Sequence, residues 1–149
     1  MHIKNQELDE ALSFHEKSLS IRQVKAGVNS LRVAESHHDI GDVYKHKGDL
    51  QQALAYFQLS LQILQNISGG NHYKVADALH SIGLLYEADG KVSDAYKTCQ
   101  QALELQRNSL SADHPKTRES TDTVEQLRKA KQSKYASVVS KASTVCTIS

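Results

Sequence analysis

The sequence predicts an all-α solenoid of antiparallel helix pairs, about six helices in all, and three observations point there. Composition is the first. Ala, Leu, Gln, Glu and Lys abound, Pro occurs once, Trp is absent and β-branched runs are few, a mix that favours helix throughout. The second is an internal repeat of 42 residues: "HDIGDVYKHKGDLQQALAYFQLSLQIL" from His38 overlays "HSIGLLYEADGKVSDAYKTCQQALELQ" from His80. Ile40 meets Ile82, Gly41 meets Gly83, Tyr44 meets Tyr86, Gly48 meets Gly90, Ala53 meets Ala95 and Leu61 meets Leu103. The third is helical spacing within the repeat, seen in Ala53, Phe57, Leu61 and Leu64.

Taken in order, residues 6–26 read as the second helix of a pair without its first, because Ala11, Leu19 and Ile21 match Ala53, Leu61 and Ile63. Two full pairs follow at 30–66 and 72–109, then a last helix at about 114–132, so that residues 1–132 form one array. A chain opening in mid-repeat reads as a fragment of a longer array or as a truncated paralogue. Asn29, Asn71 and Asp113 offer side-chain oxygens to cap the first helices. Pro115 follows its cap at a position where a missing N–H costs nothing. Gly48 and Gly90 suit the left-handed residue that ends a helix. Gly41 and Gly83 lie inside first helices, at a cost of about 1 kcal/mol each relative to Ala, and this implies close approach of the partner helix. In the last helix Glu125 and Arg128 replace that Gly and the Tyr, as a polar-faced cap would require. Beyond Glu125 no acidic residue occurs, whereas Arg128, Lys129, Lys131, Lys134 and Lys141 are basic. Residues 133–149 are expected to be a flexible, Ser/Thr-rich basic tail.

A small residue, Tyr three positions later, the turn Gly and then Ala are the positions that identify tetratricopeptide repeats. They stand here as Gly41, Tyr44, Gly48 and Ala53, and again as Gly83, Tyr86, Gly90 and Ala95. The 42-residue period and the segments "GGNHYKVADAL" and "SADHPKTRES" resemble the longer-helix variety found in kinesin light chain and nephrocystin. The resemblance covers roughly residues 6–132. It implies a right-handed solenoid that binds protein or peptide partners in the groove lined by its first helices.

Carried over residue by residue, the groove positions are Glu35, His38, Asp42, Lys45 and His46; then Asp77, His80, Leu84, Glu87 and Ala88; then Glu119, Asp122, Gln126 and Lys129. Spacings of three, four and seven put each group on one helical face. Six carboxylates face two lysines, which favours a basic or mixed-charge peptide; the alternative is that these charges only solvate the surface. Asp39, Asp42, Ser81 and Leu84 stand where chaperone-binding relatives clamp a C-terminal carboxylate with Lys, Arg and Asn. "HD" and "HS" replace the paired asparagines with which kinesin light chains hold acidic cargo.

Other function classes are excluded or weakened by the residues. With 18 basic and 17 acidic residues, net +1, the chain has no bulk attraction for nucleic acid. His37, His38, Asp42 and His46 suggest a metal site, but His38 and His46 lie about 12 Å apart along a helix, too far to share an ion. Only His38 recurs in the next repeat, as His80, so no metal or cofactor is expected. No phosphate-cradling loop or activated-cysteine context is present, and the chain reads as a non-enzyme. Cys99 takes the place of Phe57 and is expected to be buried; the two cysteines form no spaced framework, as in a reduced, cytoplasmic protein. The last four residues, "CTIS", fit a prenylation box with Cys146 as acceptor, and the upstream basic charge would supply a second membrane signal. The alternative is a chance match. Self-association is the remaining expectation, since open ends of a solenoid expose stacking surface.

Overall fold

The computed structural model describes the backbone of residues 2–68 and 73–148, and the side chains of residues 4–68 and 73–140. Among the described residues six α-helices follow one another: α1 (His2–Ala26), α2 (Leu31–Lys47), α3 (Leu50–Ser68), α4 (Tyr73–Ala88), α5 (Val92–Ser109) and α6 (Pro115–Ile148). The principal packing is between consecutive helices. Two complete pairs, α2 with α3 and α4 with α5, stand between a lone second helix, α1, and a lone first helix, α6. This is an all-α solenoid.

The turn within each pair is set by glycine. Gly48 and Gly90 have φ of +83° and +77°. At each, the glycine N–H and the next N–H return to carbonyls of the last turn: Gly48 to Lys45 and Asp49 to Tyr44, then Gly90 to Glu87 and Lys91 to Tyr86. These paired hydrogen bonds satisfy carbonyls that the helix end leaves open. Helix starts are less regular. Ser30 rather than Asn29 caps α2, accepting from the Val33 N–H at 3.2 Å. His114 rather than Asp113 precedes α6, its Nδ1 accepting from the Lys116 N–H at 3.2 Å. Both caps sit one residue later than expected, because a neighbouring residue of capping chemistry was available. Asn71 lies outside the described residues.

Packing within the pairs explains the helical glycines. A Cβ on Gly41 would stand 2.6 Å from the Phe57 ring, and one on Gly83 would run into Cys99 Sγ. Phe57 and Cys99 are repeat-equivalent and fully buried. Small residues on α2 and α4 therefore let α3 and α5 approach closely. Between pairs the core is apolar: Val33, Ala34, Ile63, Leu64, Val75 and Ala78 form one cluster. Ala53, Phe57, Ile82 and Leu85 form the next. In α6 the glycine position is Glu125, half exposed and ion-paired with Arg128.

Two findings depart from the sequence reading. α6 runs on to Ile148, so the stretch expected to be a flexible tail from 133 is helical; residues 133–140 are all exposed. No Gly or Pro interrupts it, and nothing in its composition opposes helix strongly enough to end it. On α1, Phe14 and Ile21 are exposed at positions whose counterparts in α3, Tyr56 and Ile63, pack on α2.

Candidate functional site

The first helices α2, α4 and α6 share a groove, and polar contacts cross it from unit to unit. Lys74 at the start of α4 is ion-paired with Glu35 on α2. Lys116, its repeat equivalent at the start of α6, lies 2.8 Å from Asp77 on α4. His38 Nε2 meets Ser81 Oγ at 3.2 Å, and His80 Nδ1 meets Ser120 Oγ at 3.4 Å. His38 Nδ1 is 3.5 Å from Asp42. Each unit thus holds the next by one lysine–carboxylate pair and one histidine–serine contact. Half-exposed ion pairs of this kind contribute about 0–1 kcal/mol each, so they fix register more than they add stability.

Two adjoining pockets open between these contacts. One, of about 160 Å³, is lined by Glu35, His38, Ser60, Leu64, Lys74 and Asp77. The other, of about 210 Å³, is lined by His38, Asp77, His80 and Ser81 on one side and Gln106, Lys116, Glu119 and Ser120 on the other. Glu35, His38, Asp77, His80 and Glu119 are therefore brought together. Asp42 and Leu84 are partly buried outside these pockets, while Lys45, Glu87 and Asp122 lie beyond them. A larger cleft of about 520 Å³ between α5 and α6, bordered by Leu103, Val124 and Glu125, shares no residue with either.

The charge of the groove differs from the sequence count. Lys74 and Lys116 engage Glu35 and Asp77, so two of the six carboxylates are neutralised from within. These lysines belong to helix starts and escaped the face-by-face reading. Their signal was nonetheless present, because an acidic residue precedes a lysine by the same interval in both repeats, as Glu35 with Lys74 and Asp77 with Lys116. Glu119, the third equivalent, makes no ion pair among the described residues and is exposed. Burial pushes His80 below the usual histidine range, while Glu119 and Asp77 act in the opposite sense and Lys45 adds to the lowering. His80 is accordingly neutral at neutral pH and able to accept or donate one hydrogen bond.

Asp42, His38 and Ser81 fall in the order of a nucleophile and its base, an array the sequence did not reveal. Ser81, however, donates to the Asp77 carbonyl at 3.1 Å inside α4. In mid-helix the neighbouring backbone N–H groups are already spent on the helix ladder, so they form no oxyanion hole beside it. The arrangement orients side chains across the groove. His37, next to this array, is buried, and among the described residues its Nδ1 has no hydrogen-bond partner and no group of three His, Cys, Asp or Glu is positioned for a metal. Cys99 is buried and free, its thiol pushed up to about 11 by that burial. The side chain of Cys146 lies outside the described residues, and no described helix is long and apolar enough to cross a membrane.

Family models described as tetratricopeptide repeat match residues 1–66 and 34–95, and a second such model matches 75–116. No curated protein matches the sequence. Among solved structures, BtubC (BKLC) from P. vanneervenii superposes with a TM-score of 0.77 at 21% identity, over 85% of this chain and 51% of that one. A Podosopora anserina chain described as a kinesin light chain with nearly identical TPR-like repeats gives 0.75 at 20% identity, over 87% of this chain and 61% of its own. A second crystal structure from the same organism, of a single-substitution form, gives the same values. The likeness is one of fold, and the chain spans 51% to 61% of the length of these structures.

Proposed function

The chain belongs to the tetratricopeptide repeat family, whose members serve as protein–protein interaction scaffolds, and from that premise we propose that it binds an extended peptide in the groove of α2, α4 and α6 without chemistry of its own. The observation that carries this reading is the pair of adjoining pockets in which Glu35, Asp77 and Glu119 recur at one repeat spacing. A preformed face with pockets at regular intervals suits a chain that lies along it and places alternate side chains into it. With Glu35 and Asp77 partly neutralised, the open acidity lies at the α6 end, in Glu119 and Asp122. A peptide of basic or mixed charge fits that gradient. Screening a peptide array against the whole chain at two salt concentrations tests it. Binding that weakens with salt and favours basic peptides is expected, and preference for acidic peptides or indifference to salt refutes it.

A second reading is favoured by α6, which exposes Tyr135, Val138 and Val139 near Lys131 and Lys134. An apolar stripe beside cations suits an anionic membrane surface, with a prenyl group on Cys146 as the stronger anchor and the cytoplasm as the place of the unmodified chain. Fractionation of wild type against Cys146→Ser separates the two states; equal distribution of both removes the anchor. Exposed Phe14 and Ile21 on α1 favour contact with a second copy, which light scattering across a concentration series would reveal as rising mass.

A further inference from the structure

The junction of α4, α5 and α6 differs from the junction before it. There Leu64 and Ala78 close an apolar cluster with Val75. One repeat later the same positions are Gln106, Ser120 and Thr117, all at 2% exposure or less. Gln106 lines the 210 Å³ pocket and its Oε1 has no hydrogen-bond partner among the described residues. A buried acceptor left unpaired disfavours the empty state and rewards any ligand that brings a donor. Three other groups around the pocket add to it. Ser81 and Ser120 carry hydroxyl lone pairs, and Glu119 brings a carboxylate without an ion pair among the described residues. Lys116 is occupied by Asp77, so Asp77, Lys116 and Glu119 together leave one net negative charge.

The chain itself shows what such a junction accepts. Ser36 is the repeat equivalent of Ser120, and Arg22 that of Gln106; at the first junction Arg22 Nη1 donates to Ser36 Oγ at 2.7 Å and to the Arg32 carbonyl at 3.2 Å. A guanidinium already sits against this serine position where the chain supplies one. We propose that the α4–α5–α6 pocket is the guanidinium subsite of the groove, selecting an arginine side chain of the bound peptide through Gln106, Ser120 and Glu119. The planar cation carries five donors and no acceptor, which matches a pocket rich in acceptors with one surplus negative charge. His80, kept neutral by its burial, does not repel it. This deepens the peptide-groove reading and rests on it for the partner's identity as a peptide.

The test titrates the full chain with N-acetyl-arginine amide, and with the uncharged citrulline counterpart, while side-chain and backbone amide resonances are followed by NMR. Saturable shifts centred on Gln106 and Ser120 are expected with arginine, at least about five-fold weaker with citrulline, and absent in Gln106→Leu. That variant restores the residue found at position 64 and should fold at least as stably, which its spectrum will show. Equal affinity for arginine and citrulline, or arginine binding undiminished in Gln106→Leu, overturns the proposal. The peptide array distinguishes the two levels. Peptides that bind without arginine preference overturn the subsite and leave the groove reading intact; saturable arginine binding with no peptide binding supports the subsite and overturns the groove.

Discussion

His37 shows how a single side chain can oppose the fold that buries it. It is 8% exposed, its Nδ1 has no partner among the described residues, and it stands at the position occupied by Leu79 in the next repeat. Burial lowers its affinity for a proton below the ordinary value of 6.5, as it does for His80. The unfolded chain then takes up protons at a higher pH than the folded one. The stability associated with neutral histidine is present above about pH 6.5 and is lost as pH falls below it. We expect the urea midpoint to fall between about pH 7 and pH 5. His37→Leu should raise stability by about 1–3 kcal/mol, the cost of an unsatisfied buried polar group, and flatten that pH dependence; an unchanged midpoint at both pH values refutes this. Gly83→Leu tests the opposite case. Helix propensity favours Leu by up to about 1 kcal/mol, but Cys99 and the Ala95 carbonyl occupy the space, so overpacking should dominate with a net loss of about 1–3 kcal/mol in chemical denaturation. These glycines were legible in the sequence because the repeat sets Gly41 and Gly83 at matching positions. The polar turn of the third junction was legible in principle too, as Leu64, Ala78 and Val75 giving way to Gln106, Ser120 and Thr117, but a reading confined to the groove face passes over residues on the buried face.

At the scale of the element, helix ends divide into two kinds. The C-terminal ends of α2 and α4 were legible because only glycine adopts φ near about +80° without strain. Gly48→Ala should therefore cost about 1–2 kcal/mol, read as a lower thermal midpoint, with no change refuting the role of the left-handed turn. The N-terminal ends were not legible to the residue, since Asn29 and Ser30, or Asp113 and His114, compete for one cap. The far end of α6 was misread for a related reason. Ser and Thr lower helix propensity without forbidding helix, and a lost apolar period says only that nothing packs there. The exposed segment makes a sharp prediction: removing residues 133–149 should reduce helical circular dichroism yet leave stability to urea within about 0.5 kcal/mol of wild type. A large loss of stability would mean that the segment packs on the array.

For the whole molecule, the repeat fixed the architecture in advance, while the groove's electrostatics emerged only from contacts between units. Sequence spacing could place Glu35, Asp77 and Glu119 on one face, but not show that Lys74 and Lys116 reach across to the first two. The distinction is physical, since periodicity reports which way a side chain points within its own helix and is silent on what the adjacent helix brings to meet it. Because the principal packing joins each helix to its sequence neighbours, stability is close to a sum of local terms, and such low contact order favours rapid folding.

The same neighbour-to-neighbour packing governs how the molecule would respond to tension. Pulled apart from its termini, it has no strap among the described residues joining distant segments that must rupture all at once. It would lengthen as a staircase of small rips, shedding helices successively and recoiling as readily when released, so that a cargo hung on the groove would ride on a spring rather than a rigid bracket.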